Sequence, residues 1–326
     1  MYMALFAWSA NTFAEIKLTN LLVKDIGWTY GFYKGQEYSL SAIAKKYPSL
    51  SRLAFIAEKE FSATFESSIE GMDAIMIKHA KKEWQKIKNQ LTKQVINSTN
   101  IDQVTESQAR QFIELVRLRA KGNIESPIIE TLLIFKSGYE KNPEREFLDG
   151  FKYKYTKTGS GKAKGVAFSI ESPKSWVAKR GNRPNIVQKF VSENGRGTEI
   201  FLILIKEIPL EPGEKISERD IAEMLTPKEI KDLLPDGAVN IKSGKLYIEN
   251  LPGFWMRFKM NMSRVKNSID MEAIMYTIFY ENKMIQIQGQ VATSFNGKPT
   301  NSGGLQKYEN LFDLIANSLV IPGLYQ

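Results

Sequence analysis

Five side chains in one short stretch have the right types to hold an anion: Lys174, Trp176, Lys179, Arg180 and Arg183. An aromatic ring among cations offers a stacking face, and guanidinium and ammonium groups grip phosphate or carboxylate. The same set also suits a plain strand end, with the indole turned into the core and the cations reaching outward along their stems. Burial of Trp176 is the expectation, and exposure would make the stretch a binding surface. Two other stretches carry candidate surfaces. One is the lysine face of a helix over 72–95, with Lys78, Lys81, Lys82, Lys86, Lys88 and Lys93. The other is "QIQGQ", whose Gln286, Gln288 and Gln290 fall on one sheet face, either wet or covered as an interdomain contact.

Several chemistries lack their parts. The chain has no cysteine, which removes disulfides, thiolate catalysis and cysteine metal sites. His79 is the only histidine; it lies among lysines with Glu83 one turn on, so it reads as a surface residue beside an acid. A Ser-His-Asp triad would depend on it alone, and a zinc site would need more nitrogen ligands. A carboxylate-only calcium site remains open in principle, but no D-x-D-x-D-G loop occurs. "TGSGKAKG" hints at a phosphate loop. It has Thr156 where the first glycine belongs and Ala163 where the magnesium hydroxyl belongs. The acid pairs Glu144 with Glu146 and Glu218 with Asp220 each enclose an arginine, and both pairs are expected to be solvated. No catalytic residue, cofactor or metal ligand is assigned.

These residues must be positioned by two kinds of element. Up to about residue 150 apolar residues recur at helical spacing. Leu53, Ala57, Phe61 and Phe65 form one stripe; Met72, Ile75, Met76, Ala80, Trp84, Ile87, Leu91 and Val95 form the next. Thr105 and Gln108 fit a capping box, and Pro127 fits the first turn of a helix "PIIETLLIFKSGYEKN". A helical bundle is expected over roughly 36–150, after an aromatic-rich stretch "GWTYGFYKGQEY". From Gly165 the period becomes two. Val166, Phe168 and Ile170 alternate, Ile186–Ser192 and "TEIFLILIKEI" read as strands, and Asn194-Gly195 as their turn. Ser217 and Thr226 cap two short helices. Phe254, Met256 and Phe258 then face one way, with Trp255, Arg257 and Lys259 facing the other. A hairpin around Glu281–Lys283 and a helix with Leu305, Tyr308, Leu311, Phe312, Ile315 and Leu319 on one face complete the chain. The expected fold is α+β: a helical domain, then an antiparallel sheet covered by helices. The expected divisions are 1–14 as a secretory signal remnant, 15–153 helical, 154–164 a Gly/Lys/Thr linker, and 165–326 the sheet domain.

"FSIESPKSW", a hairpin, a helix, a meander and the closing "YENLFDLIANSL" helix together resemble the PsbP-like superfamily of α-β-α sandwiches, over Gly165 to the C-terminus. That resemblance implies the sandwich fold and a non-catalytic role, and transfers no site residues.

The first 14 residues are apolar and uncharged, and Thr12-Phe13-Ala14 offers small residues where a signal peptidase reads. No lysine or arginine precedes the apolar run, so either the true start lies upstream or the stretch is a buried N-terminal segment, and a cytoplasmic location is the alternative. No run reaches the ~18 apolar residues that a membrane span needs. With 45 Lys and Arg against 36 Asp and Glu, the charge is +9, spread along the chain. The expectation is an exported, non-catalytic interaction or accessory protein of the bacterial envelope, binding a protein partner or small ligand through its sheet. A hydrolase using carboxylates or a bound metal, and an anionic-polymer binder, are the alternatives.

Overall fold

The computed structural model describes residues 18–211, 213–264, 267–300 and 302–325. The expected signal remnant therefore lies outside the described residues. The chain divides into two compact units, with the described boundary between Lys141 and Asn142.

The first unit is helical. Helix α1 (Asn20–Lys46) begins at Thr19, whose hydroxyl accepts from the Leu22 N–H at 3.1 Å. It starts earlier than its aromatic, glycine-punctuated sequence suggests. Leu22, Ile26, Tyr30, Tyr33, Leu40 and Ile43 form a buried stripe that outweighs the helix cost of Gly27, Gly31 and Gly35. Helix α2 (Ser51–Ser98) joins the two expected stripes into one element, with a kink where Ala80 leaves helical geometry. Trp84 is core: its indole meets Tyr30 edge-on at 5.3 Å and donates to Asp73 at 2.8 Å. Lys88 leaves the solvated face to donate to the same carboxylate at 3.1 Å. Helix α3 (Glu106–Ala120) has the Thr105–Gln108 capping box. The single helix expected after Pro127 is broken into α4 (Ile128–Ile134) and α5 (Ser137–Lys141).

The second unit opens with α6 (Glu144–Leu148) and strand β1 (Lys152–Thr158), which pairs antiparallel with β2 (Ala167–Pro173). The segment 154–164 is thus not a linker. It holds most of β1 and the turn into β2, and the alternate β1 residues Tyr153 and Tyr155 pack on Phe190, so a strand rich in Lys and Thr still supplies one apolar face. The main sheet is fully antiparallel. Its strands are β3 (Val177–Arg180), β4 (Ile186–Val191), β5 (Ile200–Glu207), β6 (Val239–Ile248), β7 (Leu251–Arg264), β8 (Asn267–Tyr280) and β9 (Lys283–Phe295). They lie in the order β3-β4-β5-β9-β8-β7-β6, with β10 (Lys298–Pro299) at the end of β9. A tight turn, α7 (Ser192–Gly195), joins β4 to β5, with Glu193, Asn194 and Gly195 all at positive φ. Between β5 and β6 lie α8 (Glu218–Met224) and α9 (Pro227–Leu233).

Two faces of this sheet are covered. Helix α10 (Gly304–Asn317), α6 and the β1–β2 hairpin pack over Ile274, Ile278, Phe201 and Ile287. Helices α8 and α9 cover Phe254, Met256, Phe258 and Met275 on the other side. This α-β-α layering is the fold that the alternating pattern and the resemblance both implied. No helix among the described residues is long and apolar enough to cross a membrane.

Candidate binding site

The cationic stretch around Trp176 does not form an aromatic-and-cation surface. Trp176 is buried against Phe201 and Phe312, at 5.8 and 6.2 Å between ring centroids. The Lys174 N–H donates to the Phe151 carbonyl at 2.9 Å, and its side chain is half-buried. Lys179 and Arg180 lie on the edge strand β3, opposite Lys189 and Gln188. Lys179 donates to the Gly195 carbonyl at 2.6 Å, and partial burial followed by Lys189 and Arg196 lowers its pKa. Arg183 is half-buried in the turn before β4. Its carbonyl and that of Gly181 both accept from Lys162, at 2.7 and 2.5 Å. The lysine of "TGSGKAKG" is therefore a staple for this turn and not a phosphate ligand.

The other sequence candidates also resolve. Glu146 is buried, contrary to the solvated reading: the Ser175 N–H and hydroxyl donate to it at 2.7 and 2.6 Å and compensate its desolvation. Asp220 closes a capping box with Ser217, whose N–H and hydroxyl hold its pKa below the usual range. His79 is exposed beside the kink at Ala80. Gln286, Gln288 and Gln290 are buried, and Gln286 donates to Thr277 at 3.2 Å. Among the described residues no three or more His, Asp or Glu side chains converge as a metal site.

A different place gathers polar side chains. A cleft of about 280 Å³ lies where α10 crosses β6, β7 and β8. Strand register builds it. Trp255 and Arg257 sit two apart on β7, so both face α10, opposite Tyr276 and Ile274 of β8. Gly244 of β6 lies opposite Trp255, and a Cβ there would come within 3.0 Å of the indole Nε1. Glycine thus lets the indole cross the strand. The Arg257 guanidinium lies 5.4 Å from one Trp255 ring centroid and the Lys242 ammonium 5.9 Å. Leu246, Ile248 and Ile274 supply apolar lining.

Helix α10 supplies the opposite wall. Its apolar stripe faces the core, so Glu309 and Asp313, one turn apart, reach the sheet at the stripe's margin. Glu309 forms an ion pair with Arg257, and Asp313 accepts a hydrogen bond from the Tyr276 hydroxyl. Burial first, and then Asp313, push the Tyr276 pKa far above the ordinary tyrosine value, so its proton stays in place. Arg257 Nε is buried, with no hydrogen-bond partner among the described residues. The cleft therefore joins an aromatic face to the cations Lys245 and Arg257 and the carboxylates Glu309 and Asp313, with the unmatched Arg257 Nε enclosed at its wall. The sequence carried a signal for it, since Trp255 and Arg257 alternate with a wholly apolar row on the same strand.

No family model matches the chain, and no curated protein matches it by sequence. Solved structures align with about half of it. The cyanobacterial PsbP protein CyanoP of Synechocystis sp. PCC 6803 is 15% identical, covering 52% of this chain and 92% of its own, at TM-score 0.31. The Ran-binding protein Mog1p of Saccharomyces cerevisiae is 8% identical, covering 52% and 95%, at 0.33. LpqN of Mycobacterium tuberculosis, described as involved in cell envelope biogenesis, is 10% identical, covering 55% and 96%, at 0.33. At these scores the similarity is a likeness over half the chain and does not extend to what the protein binds.

Proposed function

We propose that the protein is a non-catalytic binding module whose α10–β7 cleft takes an anionic group attached to a planar or apolar body. One observation carries this reading: Arg257 Nε is a buried donor without an acceptor, beside the face of Trp255. A buried polar group left unmatched is costly, and a ligand oxygen would relieve that cost. Both carboxylates of the cleft are engaged, Glu309 with Arg257 and Asp313 with Tyr276. Groups committed in this way do not supply the poised acid and base that a hydrolase requires. We place the protein in the bacterial envelope, as an exported accessory factor, on the apolar Met1–Ala14 stretch. Mass measurement of the protein recovered from periplasm tests that placement.

The cleft reading is tested by titrating the protein with benzoate, phenyl phosphate and neutral benzyl alcohol, following tryptophan emission. The acids are expected to bind and the alcohol to fail. Loss of a charge-assisted bond in Arg257→Gln should weaken acid binding by about one to two orders of magnitude. Equal binding of the alcohol, or no effect of the substitution, overturns the reading.

A second reading keeps the cationic edge. Lys179 faces Lys189 across the strand pair, with Arg196 close enough to lower its pKa. Such a concentration of like charge suits an anionic polymer. Affinity for heparin should then fall steeply with salt and be lost in a Lys179, Arg180 and Arg183 to Glu triple variant; a flat salt response removes this reading.

A further inference from the structure

The two edges of the eight-stranded sheet differ in a way that matters for association. Strand β3 is four residues long and carries Lys179 and Arg180, the usual protection of an edge. Strand β6 is ten residues long and pairs only with β7 among the described residues. Its outer row of N–H and C=O groups is available to another strand. Apolar side chains interrupt whatever guard Lys242 and Lys245 give that row: Val239 is 67% exposed, Ile241 52% and Tyr247 54%. The bulge between Asn240 and Lys242 interrupts the ladder only near one end.

We propose that β6 receives an added strand from an acidic, apolar-rich extended segment of a protein partner. This goes beyond the cleft reading and stands without it. Charge selects the occupant. Strand β6 contains no Asp or Glu, and Lys242 and Lys245 are exposed and lie on opposite faces of the sheet. An incoming strand with acids near these two positions gains a cross-strand pair on each face, while its apolar residues meet Val239, Ile241 and Tyr247. Acids near the edge lie towards the Tyr247 end: Glu218 is bonded to Tyr247, and Glu249 accepts from Tyr325 at 2.5 Å. They favour a register that centres the incoming acids on Lys242 and Lys245. A second copy of this chain fits worse. In a two-fold antiparallel pairing near the strand centre, lysines would approach the same lysines of the copy with no acid on either strand to compensate.

The test uses the full chain and three ten-residue peptides: alternating Glu and Val, alternating Lys and Val, and the Glu–Val peptide with alternate amides N-methylated. Binding is measured by titration, and the site by hydrogen exchange over 239–248. The Glu–Val peptide should bind at least about tenfold tighter than Lys–Val, slow exchange over 239–248, and lose binding on N-methylation. A Lys242→Glu, Lys245→Glu double variant, whose circular dichroism confirms folding, should reverse the preference. Arg257→Gln should leave peptide binding intact, which separates this proposal from the cleft. No binding, equal binding of both peptides, protection confined to other strands, loss of binding in Arg257→Gln, or a dimer with β6 amides already protected would each overturn it.

Discussion

Removing the Tyr276 hydroxyl leaves the Asp313 carboxylate without its donor in a partly buried place. Tyr276→Phe should therefore cost about 1–3 kcal/mol in urea unfolding, despite the conservative change. The phenols also set the alkaline limit. Burial raises Tyr33 and Tyr153 to about 12, and Tyr276 further still. In the folded chain these groups keep protons that the unfolded chain releases near 10. Their contribution is complete below about pH 10 and is lost as pH rises towards 12 and beyond. The melting temperature should hold from pH 7 to 9 and then fall, less steeply in Tyr153→Phe. A melting temperature level to pH 11.5 would contradict this. At this scale the sequence was only partly readable. Glu146 looked like a solvated acid because its donor, Ser175, lies far along the chain and only folding brings the two together. Glu309 and Asp313 carried no signal in the sequence, because they fall outside the apolar stripe of their helix and only folding brings Arg257 and Tyr276 to them.

The elements that build the cleft depend on a close approach between α10 and β9. A Cβ on Gly289 would lie 2.4 Å from the Phe312 ring, so that glycine admits the helix to the sheet. Gly289→Ala should cost about 1–3 kcal/mol by overpacking and, by lifting α10, should also weaken benzoate binding. Urea unfolding and titration together check this; lost stability with unchanged binding would separate α10 seating from the cleft. The α10 stripe and the alternation of β7 were legible because one residue type repeats at one period. Helix α1 was not, since Gly27, Gly31 and Gly35 mimic a loop and only packing of the intervening aromatics overrides them. Strand β1 was hidden by lysines and threonines on its outward side, although its tyrosines are the buried face.

For the whole molecule, the unit boundary makes a direct prediction. A chain starting at Asn142 keeps α6, β1 and both cores, and should unfold cooperatively. One starting at Gly165 loses Glu146 from Ser175 and both tyrosines from Phe190, and should show no cooperative transition by circular dichroism. The switch from a 3.6-residue to a two-residue rhythm revealed that two units exist. It could not locate their border, because α6 and β1 belong to the sheet unit while retaining the composition of what precedes them. The seat of Trp176 between Phe201 and Phe312 has an optical consequence. Emission from this enclosed indole should be blue-shifted and should shift to longer wavelength only when α10 leaves the sheet, whereas Trp255, half-exposed at the cleft, should answer to ligand. Subtracting the spectrum of Trp255→Phe from that of the intact chain would isolate an occupancy channel from the other four tryptophans, and the same subtraction with Trp176→Phe would isolate one for helix seating, with no dye attached.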